Sequence, residues 1–405
     1  MAMHFLFREQ LSLMARERLE TSIIGTMIKR VGEHQAISFG AGEPSADLFP
    51  VEELKEAFLG VFDDPSLLGY YGDDYGFEPL REWIAHRMHL DDMAPEWVSW
   101  EHILLTNGAG EGIDLVAEAL IDPGCFVLVE SPTYTETLLT FRKQGATCVI
   151  VPSDEGGILP EALEQLLKDR PFRFLYTIPN FQNPSGRTVS LERRKTILAA
   201  LQRYDIPLLE DDPYHYLSYD GAVPTSYLKL AGEDQRVIHC NSFSKIVAPG
   251  MRTGWVVVPP ALKDIMTAFR VSAGLTRPAF VQKGLLNLLN RTDFSARLDS
   301  LRAVYRTRRD AMLEALASDL APLGVRTNIP KGGFFIWGEA PQIKDMIAFA
   351  LRTVEEEKVG IIPGAAFFPT GQAEPGTFRL SYAKVHPQMA EEGVRRLARA
   401  FKKKR

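Results

Sequence analysis

Cysteine is scarce. Cys125, Cys148 and Cys240 are the only three in 405 residues. All three sit in apolar runs, with neither metal-ligand spacing nor the even count of a disulfide framework. Such usage fits a reducing compartment, and a cytoplasmic location is expected. Long apolar runs are missing too. No stretch reaches the roughly 18 residues that a membrane helix needs, so no membrane span is expected. The patch Phe5-Leu6-Phe7 is soon followed by Arg8, Glu9, Arg16 and Glu17, which argues against a signal peptide. Nor is there a basic excess. Lys and Arg number 46 against 52 Asp and Glu, a net charge of −6, which speaks against a broad nucleic-acid-binding surface. The basic tail Lys402-Lys403-Lys404-Arg405 reads as a solvated terminus. Internal repeats, low-complexity tracts and long Gly/Ser linkers are lacking as well.

What remains is the balance of a globular chain, 45% apolar and 24% charged, long enough for two domains. Short β-rich runs appear at Ile103-Thr106, Phe126-Glu130, Cys148-Val151, Phe174-Ile178, Pro207-Glu210, Val237-Cys240 and Trp255-Val258. Helix-like stretches lie between several of them, among them Gly112-Leu120, Leu191-Tyr204 and Ala261-Ser272. This alternation predicts an α/β domain with a largely parallel sheet, whose ligand sits beyond the carboxyl ends of the strands. Residues 8–31 read as one amphipathic helix leading to Gly40-Ala41-Gly42. From about residue 290 the pattern changes to a long charged helix, short strands near Phe334-Trp337 and Phe378-Ser381, and a last helix from Pro387 to about Phe401. That is the pattern of a smaller α+β domain.

Four segments could carry chemistry. In Asn241-Ser242-Phe243-Ser244-Lys245, a lysine follows a strand and two hydroxyls, and Arg252 comes seven residues later. Such a lysine can form an imine with a carbonyl cofactor, and the hydroxyls and arginine can hold a phosphate. An ordinary surface loop would look similar. In Leu208-Leu209-Glu210-Asp211-Asp212-Pro213-Tyr214, an apolar strand ends in carboxylates. One of them could pair with a protonated ring nitrogen, or all could serve a turn or cap. Asn183-Pro184-Ser185-Gly186 is a turn signal. Thr106-Asn107-Gly108-Ala109-Gly110 joins a strand to a helix, where backbone N–H groups can approach an anion.

Taken in order, these segments resemble the fold-type I aminotransferases that use pyridoxal 5′-phosphate (PLP). The likeness is to the class I/II branch with the kynurenine/2-aminoadipate and multi-substrate aromatic aminotransferases. Further matching stretches are Ile37 to Pro44, Tyr71-Gly72, Pro79 to Glu82, Ser131 to Tyr134 and Phe378 to Tyr382. The resemblance implies a three-layer αβα large domain with a mostly parallel sheet and a smaller α+β domain. It divides the chain into an N-terminal helix and arm (1–45) packing with the small domain, a PLP-binding domain (46–288) and the small domain (289–405).

It also implies roles. Lys245 is the Schiff-base lysine and proton carrier, Asp211 holds the pyridine nitrogen, and Asn183 and Tyr214 bind the phenolic oxygen. Tyr134 stacks on the ring. Ser242, Ser244, Arg252 and the backbone of Gly108, Ala109 and Gly110 clamp the phosphate. Arg379 grips the substrate α-carboxylate, helped by Asn183 and Gly42. Tyr71 matches a tyrosine that reaches the neighbouring subunit's phosphate, so a homodimer is expected. Substrates would be an L-amino acid and a 2-oxo acid, with no metal. The same lysine–aspartate pair also supports oxidases, lyases and cyclases. A DNA-reading regulator would need more than the roughly 40 residues ahead of the first Gly-rich turn.

Some positions depart from the family. Ala109-Gly110 stands where many relatives carry Ser-Gln, leaving more of the phosphate grip to backbone, Arg252 and Tyr71. Gly25 stands near an arginine found in members selective for 2-aminoadipate. Acids gather near the expected mouth at Glu43, Asp73, Asp74 and Glu111, which raises the expectation of a cationic donor such as arginine or lysine. Solvated loop acids are the plainer alternative. His86 and His89 read as a solvated helix face, His215 as a local hydrogen-bonding residue, Glu210 and Asp212 as structural, and Arg81 and Glu82 as helix residues.

Overall fold

The computed structural model describes residues 10–18, 22–68, 72–274, 276–370 and 372–403. The expected single helix over 8–31 is instead broken. A π-helical turn at Met14–Arg18 precedes α1, Ile23–Glu33, and residues 1–9 and 19–21 lie outside the described part. Ser22 is the reason for the break. Its backbone is extended (φ −62°, ψ 123°), and its hydroxyl oxygen accepts the N–H of Gly25 over 3.3 Å, so it starts a helix and cannot continue one. Ile24, Met27 and Val31 then form the buried stripe of α1. Beyond α1, Ile37 and Ser38 pair in parallel with Val359 and Gly360, which fastens the N-terminal arm to the C-terminal part of the chain.

The central sheet has seven strands: β1 Ile103–Thr106, β2 Phe126–Val129, β3 Thr147–Ile150, β4 Leu175–Thr177, β5 Leu208–Asp211, β6 Val237–Ser242 and β7 Gly254–Val257. All seven match the expected runs to within a residue or two. The order across the sheet is β1-β7-β6-β5-β4-β2-β3. β7 runs antiparallel to both of its neighbours, and the other pairs are parallel. β6 outlasts the expected run because Asn241 and Ser242 still pair with Trp255 and Gly254. Every residue of β1, β5, β6 and β7 is buried, as a covered sheet requires.

Helices pack on this sheet. α2, Ala109–Leu120, lies against β6 and β7, and α3, Thr135–Gln144, against β3. Gly112 lets α2 approach closely, since a methyl there would sit 2.3 Å from Val256 Cγ2. α4 spans Leu191–Arg203 and α5 spans Pro260–Gly274. The expected long helix is α6, Phe294–Asp319, which starts where the Asp293 carboxylate accepts the N–H of Ala296 over 3.0 Å. It packs along α7, Pro387–Lys402. The same part of the chain forms an antiparallel sheet built on β8, Phe335–Glu339, and β9, Thr377–Ser381, with short strands at Arg326–Thr327 and Ile362–Pro363. Among the described residues no helix is long and apolar enough to cross a membrane.

Candidate active site

The functional side chains converge at the carboxyl ends of the parallel strands, where an open α/β sheet leaves a crevice. β1 leads through Asn107 and Gly108 into α2. Gly108 has φ +81°, and a Cβ there would lie 2.9 Å from Arg252 Nη2, so only glycine lets the guanidinium rest on this turn. Arg252, itself left-handed at φ +45°, donates through Nη2 to the carbonyl of Asn107. In the sheet, Gly254 pairs with Thr106 on one side and Ser242 on the other, which sets the two serines beside the start of α2. The hydroxyls of Ser242 and Ser244 are 2.8 Å apart. A methyl on Gly110 would meet no atom within 4 Å, so the first turn of α2 opens onto free space. Helix N-terminus, two hydroxyls and one arginine make an anion cradle.

Asp211 ends β5. Its Oδ2 accepts the hydroxyl of Tyr176 over 2.8 Å, while its Oδ1 is buried and has no hydrogen-bond partner among the described residues. Burial pushes this carboxyl up to about 7, although Tyr176, His239 and Lys245 favour its charged form. A buried acceptor without a donor is costly, and a protonated ring nitrogen would satisfy it. Tyr214 is buried beside Asn183, and burial raises its hydroxyl above the ordinary value. Tyr134 precedes the first turn of α3, and burial followed by the charge of Glu136 raises it as well.

Lys245 closes the turn after β6 and donates through Nζ to the carbonyl of Gly42 over 3.1 Å. Burial pushes its ammonium down to about 8 against the carboxylates of Glu43 and Asp211. A nucleophilic amine is thus available near neutral pH. Arg379 of β9 is 2% exposed. It donates to Asn183 Oδ1 over 2.8 Å and to the carbonyl of Gly40 over 2.6 Å, and its guanidinium carbon lies 4.4 Å and 4.8 Å from the ring centres of Phe335 and Phe367. Its Nε is buried without a partner among the described residues. Gly42 lies against this group, since a methyl there would be 4.0 Å from Arg379 Nη1.

The structure therefore brings Lys245, Asp211, Asn183, Tyr214, Arg379 and Gly42 together, with the cradle of Gly108, Ala109, Gly110, Ser242, Ser244 and Arg252 beside them. Tyr71 lies outside the described residues. At the expected mouth most of the acids have partners. Glu43 pairs with Lys384, Glu111 accepts from Arg277 Nε over 3.0 Å, and Asp73 lies 3.7 Å from Arg81. Three of the four acids already face an internal cation. His86 and His89 are both exposed, as expected of a solvated helix face, and His89 Nε2 lies 2.7 Å from the carbonyl oxygen of Val98. Sequence reasoning missed Tyr176, Phe335 and Phe367, which lie in ordinary apolar runs. It also missed His239, which carries no signal beyond one polar letter inside a strand.

This donor set defines an enzyme that binds an anionic carbonyl cofactor with a basic ring nitrogen. Comparison with known proteins makes the class specific. The family described as aminotransferase class I and II matches residues 34–397. A 2-aminoadipate transaminase of Thermus thermophilus is 37% identical over 391 residues, 95% of each chain. Aromatic-amino-acid aminotransferase 1 of Thermococcus litoralis is 33% identical over 394 residues, 95% of this chain and 92% of its own. A kynurenine aminotransferase of Pyrococcus horikoshii, solved with PMP, superposes with a TM-score of 0.92 at 32% identity, covering 99% of this chain and 98% of the other. The chain belongs to the class I and II aminotransferases, and it is a PLP-dependent aminotransferase. The oxidase, lyase and cyclase alternatives find no support among these relatives.

Proposed function

We propose that the chain transfers the amino group of a neutral, large apolar or aromatic L-amino acid to a 2-oxo acid. PLP, when bound, supplies a carbonyl carbon for the amino group and a ring that withdraws electrons from the substrate's Cα. Asp211 Oδ1 would accept the ring N–H, and the unfilled state of that buried atom is the observation that carries this assignment. Lys245 would bond the carbonyl carbon and, once displaced, move the proton off Cα as base and return it as acid. Asn183 and Tyr214 would donate to the phenolic oxygen, and Tyr134 would lie on the ring. The cradle of Gly108–Gly110, Ser242, Ser244 and Arg252 would hold the phosphate. Arg379 would take the substrate α-carboxylate in a bidentate pair, screened from water by Phe335 and Phe367, with Gly42 and Asn183 beside it.

Donor charge follows from the mouth. With Glu43, Glu111 and Asp73 each facing a cation, little unpaired negative charge remains for an ammonium or guanidinium side chain. The names of the aromatic and kynurenine relatives agree with this reading.

The proposal includes a homodimer in which Tyr71 reaches the partner's phosphate, a cytoplasmic location, and the division 1–45, 46–288 and 289–405. Mixing a Tyr71→Phe subunit with a Lys245→Ala subunit tests the crossing tyrosine. One site of the hybrid regains both residues only if Tyr71 acts across the dimer, so unrestored activity would place it in its own site. For the donor, the holoenzyme's absorbance is followed as phenylalanine, leucine, kynurenine, 2-aminoadipate, lysine and arginine are added without oxo acid. The apolar and aromatic donors should convert the cofactor band fastest, and 2-oxoglutarate should restore it. Faster conversion by lysine or arginine would overturn the donor assignment.

A further inference from the structure

Asp211 stands in a run of three consecutive carboxylates, Glu210, Asp211 and Asp212, which are 0%, 3% and 0% exposed. Charges taken out of water need compensation. Side chains alternate along a strand, so Glu210 and Asp212 leave one face of the sheet and Asp211 the other. On the first face stands His239, directly opposite Glu210 in the parallel register of β5 and β6. Its Nδ1 lies 3.0 Å from Glu210 Oε2, and both side chains are fully buried. One ligand atom from each of Glu210, Asp212 and His239 falls within 4.8 Å of the others.

The carboxylates are otherwise well supplied. Glu210 accepts the backbone N–H of Tyr227 and Leu228 over 2.9 and 3.1 Å. Asp212 accepts from Asn180 Nδ2 at 2.9 Å on each oxygen and faces His215 Nδ1 at 3.1 Å. Behind Asn180 stands Arg194 of α4, which donates to its Oδ1. Donors thus occupy both acids, which leaves little for a metal ion to bind. His239 Nε2 is buried without a partner among the described residues. Burial favours a neutral imidazole, but the Glu210 hydrogen bond and the charges of Glu210, Asp212 and Asp211 overcome it and raise His239 above its ordinary value.

We propose that His239 is a positioning residue for the cofactor: an imidazolium held by Glu210 and lying near Asp212, it supplies from the far face of the sheet the positive charge that keeps Asp211 ionised beneath the ring nitrogen. The inference rests on the reading of Asp211 as the partner of that nitrogen. The groups acting on Asp211 are Tyr176 of β4, Asp212, His239 of β6 and Lys245. Those acting on His239 are Glu210, Asp212 and Asp211. His215 touches Asp212 and lines a cavity of about 220 Å³ with Arg87, Tyr216 and Arg302. His239 touches no substrate or cofactor, so its effect must show in charge and affinity.

Two measurements test this. In the wild-type protein with ¹⁵N-labelled histidine, one of the eight imidazoles should keep both ring nitrogens protonated to higher pH than an ordinary histidine, and its signal should vanish in His239→Gln. A neutral ring overturns the proposal, and so does a stoichiometric divalent cation in the purified protein that is lost with His239→Gln. The wild-type measurement does not depend on the variant folding. The second is the PLP dissociation constant with the pH at which the cofactor band changes. His239→Gln should weaken PLP about tenfold, or ~1.4 kcal/mol, and move the acid limb up by about one pH unit. In an Asp211→Asn background, where no charge remains to stabilise, the same substitution should add nothing. An equal loss there would make His239 merely structural. Unchanged PLP affinity in Asp211→Asn alone would sink the reading of Asp211 and this proposal with it, independently of the histidine signal.

Discussion

Arg379 Nη1 donates to Asn183 Oδ1 over 2.8 Å, while its Nη2 donates to the carbonyl of Gly40. One guanidinium thereby joins β9, the loop after β4 and the N-terminal arm at the floor of the site. Both bonded nitrogens already engage polar groups, and only Nε lacks a partner among the described residues. Each bonded nitrogen keeps a second N–H and Nε–H is also available, so a carboxylate can bind without displacing Asn183 or Gly40. Arg379→Lys keeps the charge and loses the fork. Losing one charge-assisted bond costs about 1.5–3 kcal/mol, so kcat/KM should fall roughly 10- to 100-fold for every donor and oxo acid alike. Steady-state kinetics over several donors checks this. A loss confined to one substrate would make Arg379 a side-chain reader instead.

Lys245 gives a pH dependence with a definite sign. Its ammonium is pushed down to about 8 by burial, and the amine attacks a carbonyl only when neutral. PLP added to cofactor-free protein should be captured about tenfold faster per pH unit below 8, with a plateau above. Glu43→Gln removes the carboxylate that acts most strongly to keep Lys245 protonated. The break should then move to lower pH, as stopped-flow absorbance would show. A break left in place would mean that Lys384 already cancels the charge of Glu43 at the lysine.

How much of this was legible in the letters depends on distance along the chain. The seven strands were, because each is a short apolar run bounded by turn residues and helices. So was the place of Asp211, Lys245 and Arg252 at or just beyond strand ends, because a strand and the turn after it lie within a few letters. Strand order was not, and neither was the antiparallel course of β7, which follows from crossovers that leave no local mark. The partners of the mouth acids were hidden for the same reason. Glu43 and Lys384 are 341 residues apart, and Glu111 and Arg277 are 166 apart, so each acid looked free when read alone. Tyr176 and His239 resemble any strand residue until the register places them beside Asp211 and Glu210.

Gly112 links packing to the phosphate cradle. A methyl there would meet Val256 Cγ2 at 2.3 Å and Cys240 Sγ at 3.4 Å, both in the buried sheet. Gly112→Ala should therefore overpack the interface and destabilise the fold by about 1–3 kcal/mol. It should also weaken PLP, because the shift is felt at the start of α2, three residues away. Urea unfolding and PLP titration measure the two effects. Val256→Ala, which opens the space, should recover both in the double variant. Recovery of stability without recovery of affinity would separate the cradle from the packing.

Asp211 sets function against stability, and the sign is testable. Burial holds its carboxyl at about 7 in the folded, cofactor-free chain, while an unfolded aspartate titrates near about 3.9. Between those values the folded state binds more protons than the unfolded one, so stability falls as pH rises and is lowest above about 7. Three pH units correspond to roughly 4 kcal/mol. Asp211→Asn removes the buried charge and leaves a neutral side chain of similar shape. Without cofactor, the variant should melt higher than the parent at pH 8, and the difference should vanish near pH 4. With PLP the order should reverse, because only the carboxylate rewards a protonated ring nitrogen, and the variant should lose roughly 10- to 100-fold in PLP affinity. Paired melting curves across pH, with and without PLP, decide the matter. Parallel curves for parent and variant would show that Asp211 is not a strained anion awaiting its partner.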